Sequence, residues 1–227
     1  MTITAPTPTP TTVAPSRLPA WLLTLSPLGY LAVILVALPI VLIALPTMPV
    51  FDDLTRTQMD AFATGWLIIN LAQLLVGVGP AGLALVGLRT TGRGRPWAVA
   101  SVAISVLALV ALVVGVVLRI AATGFIGDRI ADDGRYAVGT IFVGSMTAPM
   151  LATALLCVAL RLSGRLGVSA IIIGILAAVY AVLDVVSYLT GMPLPPILAT
   201  LTTWLPLGIL LLRRPRAERA ADATGIA

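Results

Sequence analysis

Six runs of apolar residues follow one another along the chain, separated by short polar links. A helix rises about 1.5 Å per residue, so about 20 residues cross the roughly 30 Å of hydrocarbon in a bilayer. Apolar and polar residues do not alternate along these runs, which excludes a membrane β-barrel. The pattern predicts an all-α, polytopic membrane protein, a bundle of six transmembrane helices at residues 22–45, 62–88, 97–122, 136–160, 166–190 and 194–212.

The two ends of the chain lack this apolar pattern. Residues 1–20 are rich in Thr and Pro and predict a disordered N-terminal tail, followed by a helix that is retained rather than cleaved as a signal peptide. Residues 213–227 form a basic C-terminal tail. The membrane domain therefore occupies residues 21–212.

Short links and small residues indicate how the helices pack. The links at 91–96 and 162–165 are tight turns, so the second and third spans, and the fourth and fifth, are expected to form antiparallel hairpins. Small residues recur four apart in the fourth and fifth spans, where they let helix backbones approach closely. These stripes predict contacts within the chain, with a homodimer face as the alternative: Gly144, Ala148 and Ala152 in the fourth span, and Ala170, Gly174 and Ala178 in the fifth.

The composition excludes several classes of protein. Hydrophobic residues make up 59% of the 227 residues and charged residues only 10%, which is too few charges to cover a surface in water. A soluble globular protein, a disordered chain and a nucleic-acid binder are therefore excluded. All 14 basic residues are Arg, which is typical of a GC-rich, bacterial genome.

Missing residue types restrict the chemistry further. Without Lys there is no Schiff base and no phosphate-binding loop, and without His there is no imidazole catalysis or His-held metal. The single Cys157 cannot form an intrachain disulfide, and Met146, Met150 and Cys157 on one helical face are interpreted as packing rather than a metal site. We expect no cofactor, no metal and no catalytic residue.

The arginines predict the orientation in the membrane. Ten lie in the tails and in the second and fourth links, and four lie in or beside the first and third links. Loops rich in Arg stay on the cytoplasmic side. Both termini are therefore expected in the cytoplasm, and the protein in the cell (plasma) membrane.

Two ionisable residues fall inside the predicted spans. Asp184 in the fifth span and Arg119 in the third lie at comparable depth, in the outer part of the bilayer. An ionisable residue in a span is costly and is a candidate functional site. The first hypothesis is that Asp184 and Arg119 pair or line one outward-facing pocket, and the alternative is that each reaches the outer interface.

Further polar residues are placed to line the same pocket. Tyr180 and Tyr188 lie four residues before and after Asp184, on its helical face. Asn70 and Gln73 lie three apart in the second span, where they either hydrogen-bond a neighbouring helix or contact a polar solute.

Three functions are open from the sequence. The scarcity of polar chemistry within the spans favours a non-catalytic membrane component, meaning a subunit, scaffold or sensor. The first alternative is a small-solute permease that uses the polar pocket, and the second is a membrane enzyme acting on a lipid or isoprenoid substrate with Asp184 and Asp60 as proton donors. The expected partners are the lipid bilayer and a membrane protein or a second copy of the chain.

Overall fold

The computed structural model describes residues 17–44, 56–123, 143–190 and 196–213. The predicted tails at 1–16 and 214–227, and the start of the predicted fourth span at 136–142, lie outside the described residues. Every regular element in the described ranges is helical, which confirms the all-α prediction for this part of the chain. The elements are α1 (Leu18–Ala44), α2 (Arg56–Leu88), a 3-10 turn (Gly92–Gly94), α3 (Arg95–Thr123), a π-turn (Val143–Thr147), α4 (Ala148–Leu162), α5 (Val168–Thr190) and α6 (Pro196–Leu212).

The six helices pack in a closed ring. Each helix contacts the next one along the chain, and α6 returns to contact α1, while the π-turn contacts both α3 and α5. The α2–α3 and α4–α5 pairs are antiparallel hairpins, as the short links predict. In the first, Gly87 lies against Ala98 and Gly77 lies against Leu109 and Leu112.

Four of the helical segments are long and apolar enough to cross a membrane: Leu18–Val36, Leu71–Leu88, Gly92–Val117 and Val168–Ser187. The other two apolar helices, α4 and α6, are 15 and 17 residues long. The five-residue π-turn leads directly into α4 and lengthens that helical stretch. By length and composition the described fold is that of a membrane protein.

The outward faces of the helices are apolar as well as the inward faces. On α3, Val106, Val110 and Val117 are exposed, and on α5 Ile172 and Val182 are exposed. Contiguous apolar surface of this kind is rare on soluble monomers and is typical of a surface covered by lipid or by another protein.

Glycine at two positions lets elements approach more closely than any side chain permits. A Cβ atom on Gly144 would lie 2.4 Å from the backbone nitrogen of Leu112, so the π-turn packs directly on the backbone of α3. A Cβ atom on Gly79 would lie 2.2 Å from the ring of Trp204, which is completely buried between α6 and α2.

The small-residue stripes lie at helix interfaces with one exception. Ala148 and Ala152 are buried, and Gly174 lies against Cys157. Ala178, expected on the same face as Gly174, is exposed, and Ala177 is buried in its place. A turn of 3.6 residues brings the position seven residues after Ala170, rather than eight, back to the same face.

One end of the ring is strongly basic. The start of α1 contacts the end of α6, the 3-10 turn packs against Ala159 near the end of α4, and Arg165 donates a hydrogen bond to the carbonyl of Arg89. Seven exposed arginines meet at this end: Arg17, Arg89, Arg93, Arg95, Arg161, Arg165 and Arg213. Within the described ranges the only acidic residues are Asp60, near the start of α2 at the opposite end, and Asp184.

Candidate functional site

The candidate site begins with a local irregularity of the fourth helical stretch. Pro149 has no N–H, so it cannot donate to the carbonyl of Ser145 four residues earlier, and its ring crowds that carbonyl. The helix widens into a π-turn at Val143–Thr147 immediately before this proline. Turns of this kind are frequent at functional sites because they redirect side chains and release backbone carbonyls.

Asp184 lies against this π-turn and is completely buried, with 0% of its surface exposed. The hydroxyl of Thr147, the last residue of the π-turn, donates a hydrogen bond to Oδ2 of Asp184. The other carboxyl oxygen, Oδ1, is buried without any hydrogen-bond partner in the described residues. The carboxyl group is therefore enclosed by the packed helices, and only one of its oxygens has a side-chain hydrogen-bond partner among the described residues.

The neighbours of Asp184 on its own helix partly share this environment. Tyr180 is half-buried and packs against the core, and Ser187 is buried. The side chain of Tyr188 lies outside the described residues. Tyr180 and Ser187 therefore lie towards the interior, on the same helix as Asp184.

The other predicted pocket residues are only partly described. Gln73 on α2 is half-buried, and its amide oxygen is buried without a hydrogen-bond partner in the described residues. Asn70 lies on α2 and Arg119 on α3, but the side chains of both lie outside the described residues. The pairing of Arg119 with Asp184 therefore stays a prediction. Arg119 is seven residues beyond Leu112, the residue that contacts Gly144 of the π-turn.

A second buried polar cluster lies about two turns further along the same helical stretch. The indole nitrogen of Trp204 on α6 donates to the hydroxyl of Thr153 at 2.9 Å, and Thr153 donates to the carbonyl of Pro149 at 2.7 Å. Thr203 donates to the carbonyl of Ala199 at 2.6 Å and lies 3.6 Å from the sulfur of Met150. Each of these hydroxyls, and the indole N–H, has a partner, so the cluster joins α4 to α6.

Sequence reasoning missed Thr147 and Trp204 as partners of buried polar groups. For Thr147 the available signal was its place two residues before Pro149, where a helix interrupted by proline redirects its side chains. For Trp204 the local sequence offers no such signal, because the Thr153 that it contacts is 51 residues away.

The sulfur-containing face of the π-turn and α4 packs in the core. Met146, Met150 and Cys157 are each at most 1% exposed. Among the described residues, no group of three or more His, Cys, Asp or Glu side chains is placed to hold a metal ion. The chemistry available at the site is therefore that of one buried carboxyl group that is hydrogen-bonded to Thr147.

No known family model, curated protein or solved structure matches this chain.

Proposed function

We propose that the protein is a six-span integral protein of a bacterial plasma membrane, with both termini in the cytoplasm. The collection of seven exposed arginines at one end of the ring, with no acid beside them in the described ranges, carries this proposal. Basic loops stay on the cytoplasmic side, so the basic end is the cytoplasmic end. An even number of helices then brings both termini to that side.

The two shorter helices also cross the bilayer in this proposal. The π-turn and α4 form one continuous helical stretch of 5 and 15 residues, and α6 has 17 residues. Spans of about 17–25 residues are sufficient for the hydrocarbon core. Each of these two helices also contacts its neighbours on both sides in the closed ring.

Cysteine accessibility tests this topology. Replacing Cys157 by Ala provides a background without cysteine, into which Thr91→Cys or Gly134→Cys is introduced. We expect a membrane-impermeant maleimide to label Gly134→Cys in intact cells, and to label Thr91→Cys only after the membrane is permeabilised. Labelling of both positions in intact cells contradicts the proposal.

Within this topology we assign the protein a non-catalytic role as a subunit, scaffold or sensor. The interior of the ring supports this role because it is filled by large, fully buried side chains, among them Trp204, Leu112, Met146 and Met150. A partner has an extensive apolar surface available on α3 and α5. A stable, stoichiometric membrane-protein partner or a homodimer is therefore expected on purification in mild detergent.

Reciprocal purification and light scattering test this role. If the partner is another membrane protein, we expect it to co-purify with the tagged chain in a fixed ratio, and the tagged partner to recover this chain. If the partner is a second copy, we expect light scattering to show a dimer. A strictly monomeric particle without a partner contradicts the role.

A small-solute permease is the second candidate function, and the buried Asp184 favours it, because its Oδ1 has no hydrogen-bond partner among the described side chains. Intramembrane carboxyl groups of this kind mark solute or ion pathways in many carriers. The test is uptake of small solutes and ions into vesicles that contain the purified protein. We expect Asp184→Asn to abolish uptake, and unchanged flux in that variant rejects the permease.

A further inference from the structure

The unpartnered oxygen of Asp184 points to a ligand that the described residues do not supply. The side chain is completely buried, and Thr147 satisfies only Oδ2. A carboxylate accepts up to about four hydrogen bonds, so the hydroxyl and the backbone N–H of Thr147 leave part of its capacity unused. A charged group buried in an apolar interior is costly unless an opposite charge or several donors accompany it.

Among the described side chains, the elements packed against α5 supply no positive charge near Asp184, and the side chain of Arg119 on α3 lies outside the described residues. These elements are α4, α6 and the π-turn. The π-turn and α6 contain no titratable side chain, and α4 contains only Cys157 and Arg161. Cys157 lies beside Gly174, ten residues before Asp184 on α5, and Arg161 is exposed at the basic end.

The π-turn that contacts Asp184 contains oxygen acceptors. The hydroxyl of Thr147 donates its proton to Oδ2 and keeps lone pairs that can accept. The carbonyl of Ser145 has no α-helical donor, because Pro149 has no N–H. Carboxylate, hydroxyl and carbonyl oxygens at an irregular turn inside a membrane helix are the ligands with which transporters hold Na⁺ or a proton.

We propose that Asp184 and the adjacent π-turn form a binding site for a monovalent cation, either Na⁺ or a proton. The cation binds to Oδ1, and the hydroxyl of Thr147 positions the carboxyl group by its hydrogen bond to Oδ2. Occupation neutralises the buried carboxylate and tightens the contact between α5 and the π-turn. The proposal goes beyond the proposed function and requires neither a partner nor transport.

Thermal unfolding of the purified full-length protein in nanodiscs of neutral lipid tests the site. At alkaline pH and constant ionic strength, NaCl replaces choline chloride in one series; in a second series without Na⁺ the pH is lowered. A Na⁺ site predicts a melting temperature that rises with Na⁺ at alkaline pH. A proton site predicts a rise on acidification that is the same in Na⁺ and in choline.

The Asp184→Asn variant provides the decisive comparison, because other carboxyl groups titrate equally in both proteins. We expect the response of the wild type, to Na⁺ or to acid, to exceed that of Asp184→Asn. Equal responses of the two proteins to both treatments overturn the proposal.

Three variants at threonine positions keep the test informative if Asp184→Asn does not fold. Thr147→Val is expected to weaken the response and Thr147→Ser to restore it, because Ser keeps the hydroxyl. Thr153→Val serves as the matched control, since Thr153 contacts Trp204 rather than Asp184. It is expected to lower the melting temperature while the full response remains. A full response in Thr147→Val overturns the proposal.

Discussion

Thr147 and Thr153 lie six residues apart on one helical stretch, and each joins it to a different neighbouring helix. Thr153 accepts a hydrogen bond from Trp204 on α6 and donates to the carbonyl of Pro149, so this contact is complete. Thr147 donates to Asp184 on α5, and the other carboxyl oxygen has no partner in the part of the chain that the structure describes. We call the Thr153–Trp204 contact closed, because its polar groups all have partners, and the Thr147–Asp184 contact open, because one carboxyl oxygen has none in the described residues.

The difference between the two contacts follows from the groups involved. An indole has a single donor, which one hydroxyl satisfies, whereas a carboxylate has more acceptor capacity than one hydroxyl can fill. A buried neutral pair of hydrogen-bonding groups holds helices together at little cost, while a buried carboxyl group needs a further ligand. We therefore assign a structural role to the Thr153–Trp204 contact and a binding role to the Thr147–Asp184 contact.

Removal of the closed contact has the largest expected effect. Trp204→Ala empties a completely buried space between α6 and Gly79, so it is expected to lower the free energy of unfolding by about 3–5 kcal/mol. Unfolding in mild detergent followed by far-UV circular dichroism measures the loss. Trp21→Ala is the control, because Trp21 is 48% exposed; an equal loss in both variants contradicts the assigned role of Trp204.

The second-largest loss of stability is expected when the π-turn is pushed away from α3. Gly144→Ala places a methyl group against the backbone of Leu112, which cannot move aside as a side chain would. The expected loss is about 3 kcal/mol, at the upper end for overpacking, together with a weaker cation response at Asp184. The control is Gly167→Ala, since no atom lies within 4 Å of a Cβ atom at Gly167. Equal melting temperatures of the two variants refute the close contact.

Loss of the hydroxyl at Thr153 ranks third. Thr153→Val keeps the shape of the side chain but leaves the buried N–H of Trp204 without its acceptor. This is expected to cost about 2 kcal/mol, because an unsatisfied buried donor loses its hydration without compensation. Chemical denaturation of the variant and the wild type gives the difference, and a variant as stable as the wild type contradicts the closed contact.

The smallest expected effect distinguishes two buried serines of α3. Ser101 donates to the carbonyl of Ala152 at 2.8 Å, so Ser101→Ala is expected to cost about 1 kcal/mol. The hydroxyl of Ser105 is buried without a partner in the described residues, so Ser105→Ala is expected to change stability by less than about 0.5 kcal/mol. Parallel denaturation curves compare the pair, and a larger loss at Ser105 reverses the expectation.

Several features of the fold were predictable from short stretches of sequence. The apolar runs predict helices because a backbone buried in an apolar setting must satisfy its own hydrogen bonds. The tight turns predict the two antiparallel hairpins, since a short link leaves the following helix no other neighbour. Asp184 stood out as a candidate because it is one of only two ionisable residues within the predicted spans.

The candidate site itself was only partly predictable. The sequence left open whether Asp184 faces a cavity, a helix or lipid, and in the structure it faces the π-turn, with Thr147 as its partner. This partner is 37 residues away, and its approach depends on the π-turn and on the fit of Gly144 against Leu112. Apolar residues are distributed almost evenly around these helices, so their positions do not show which face of a helix packs against which neighbour.

The sequence by itself determined that the chain is all-helical, strongly apolar and basic at the links and tails, because these properties follow from residue types and their local spacing. Only the tertiary structure decided the closed ring, the widened turn before Pro149 and the burial of Asp184 against Thr147. Contacts between helices depend on the shapes of side chains that are far apart in the chain, and local spacing carries little information about those shapes.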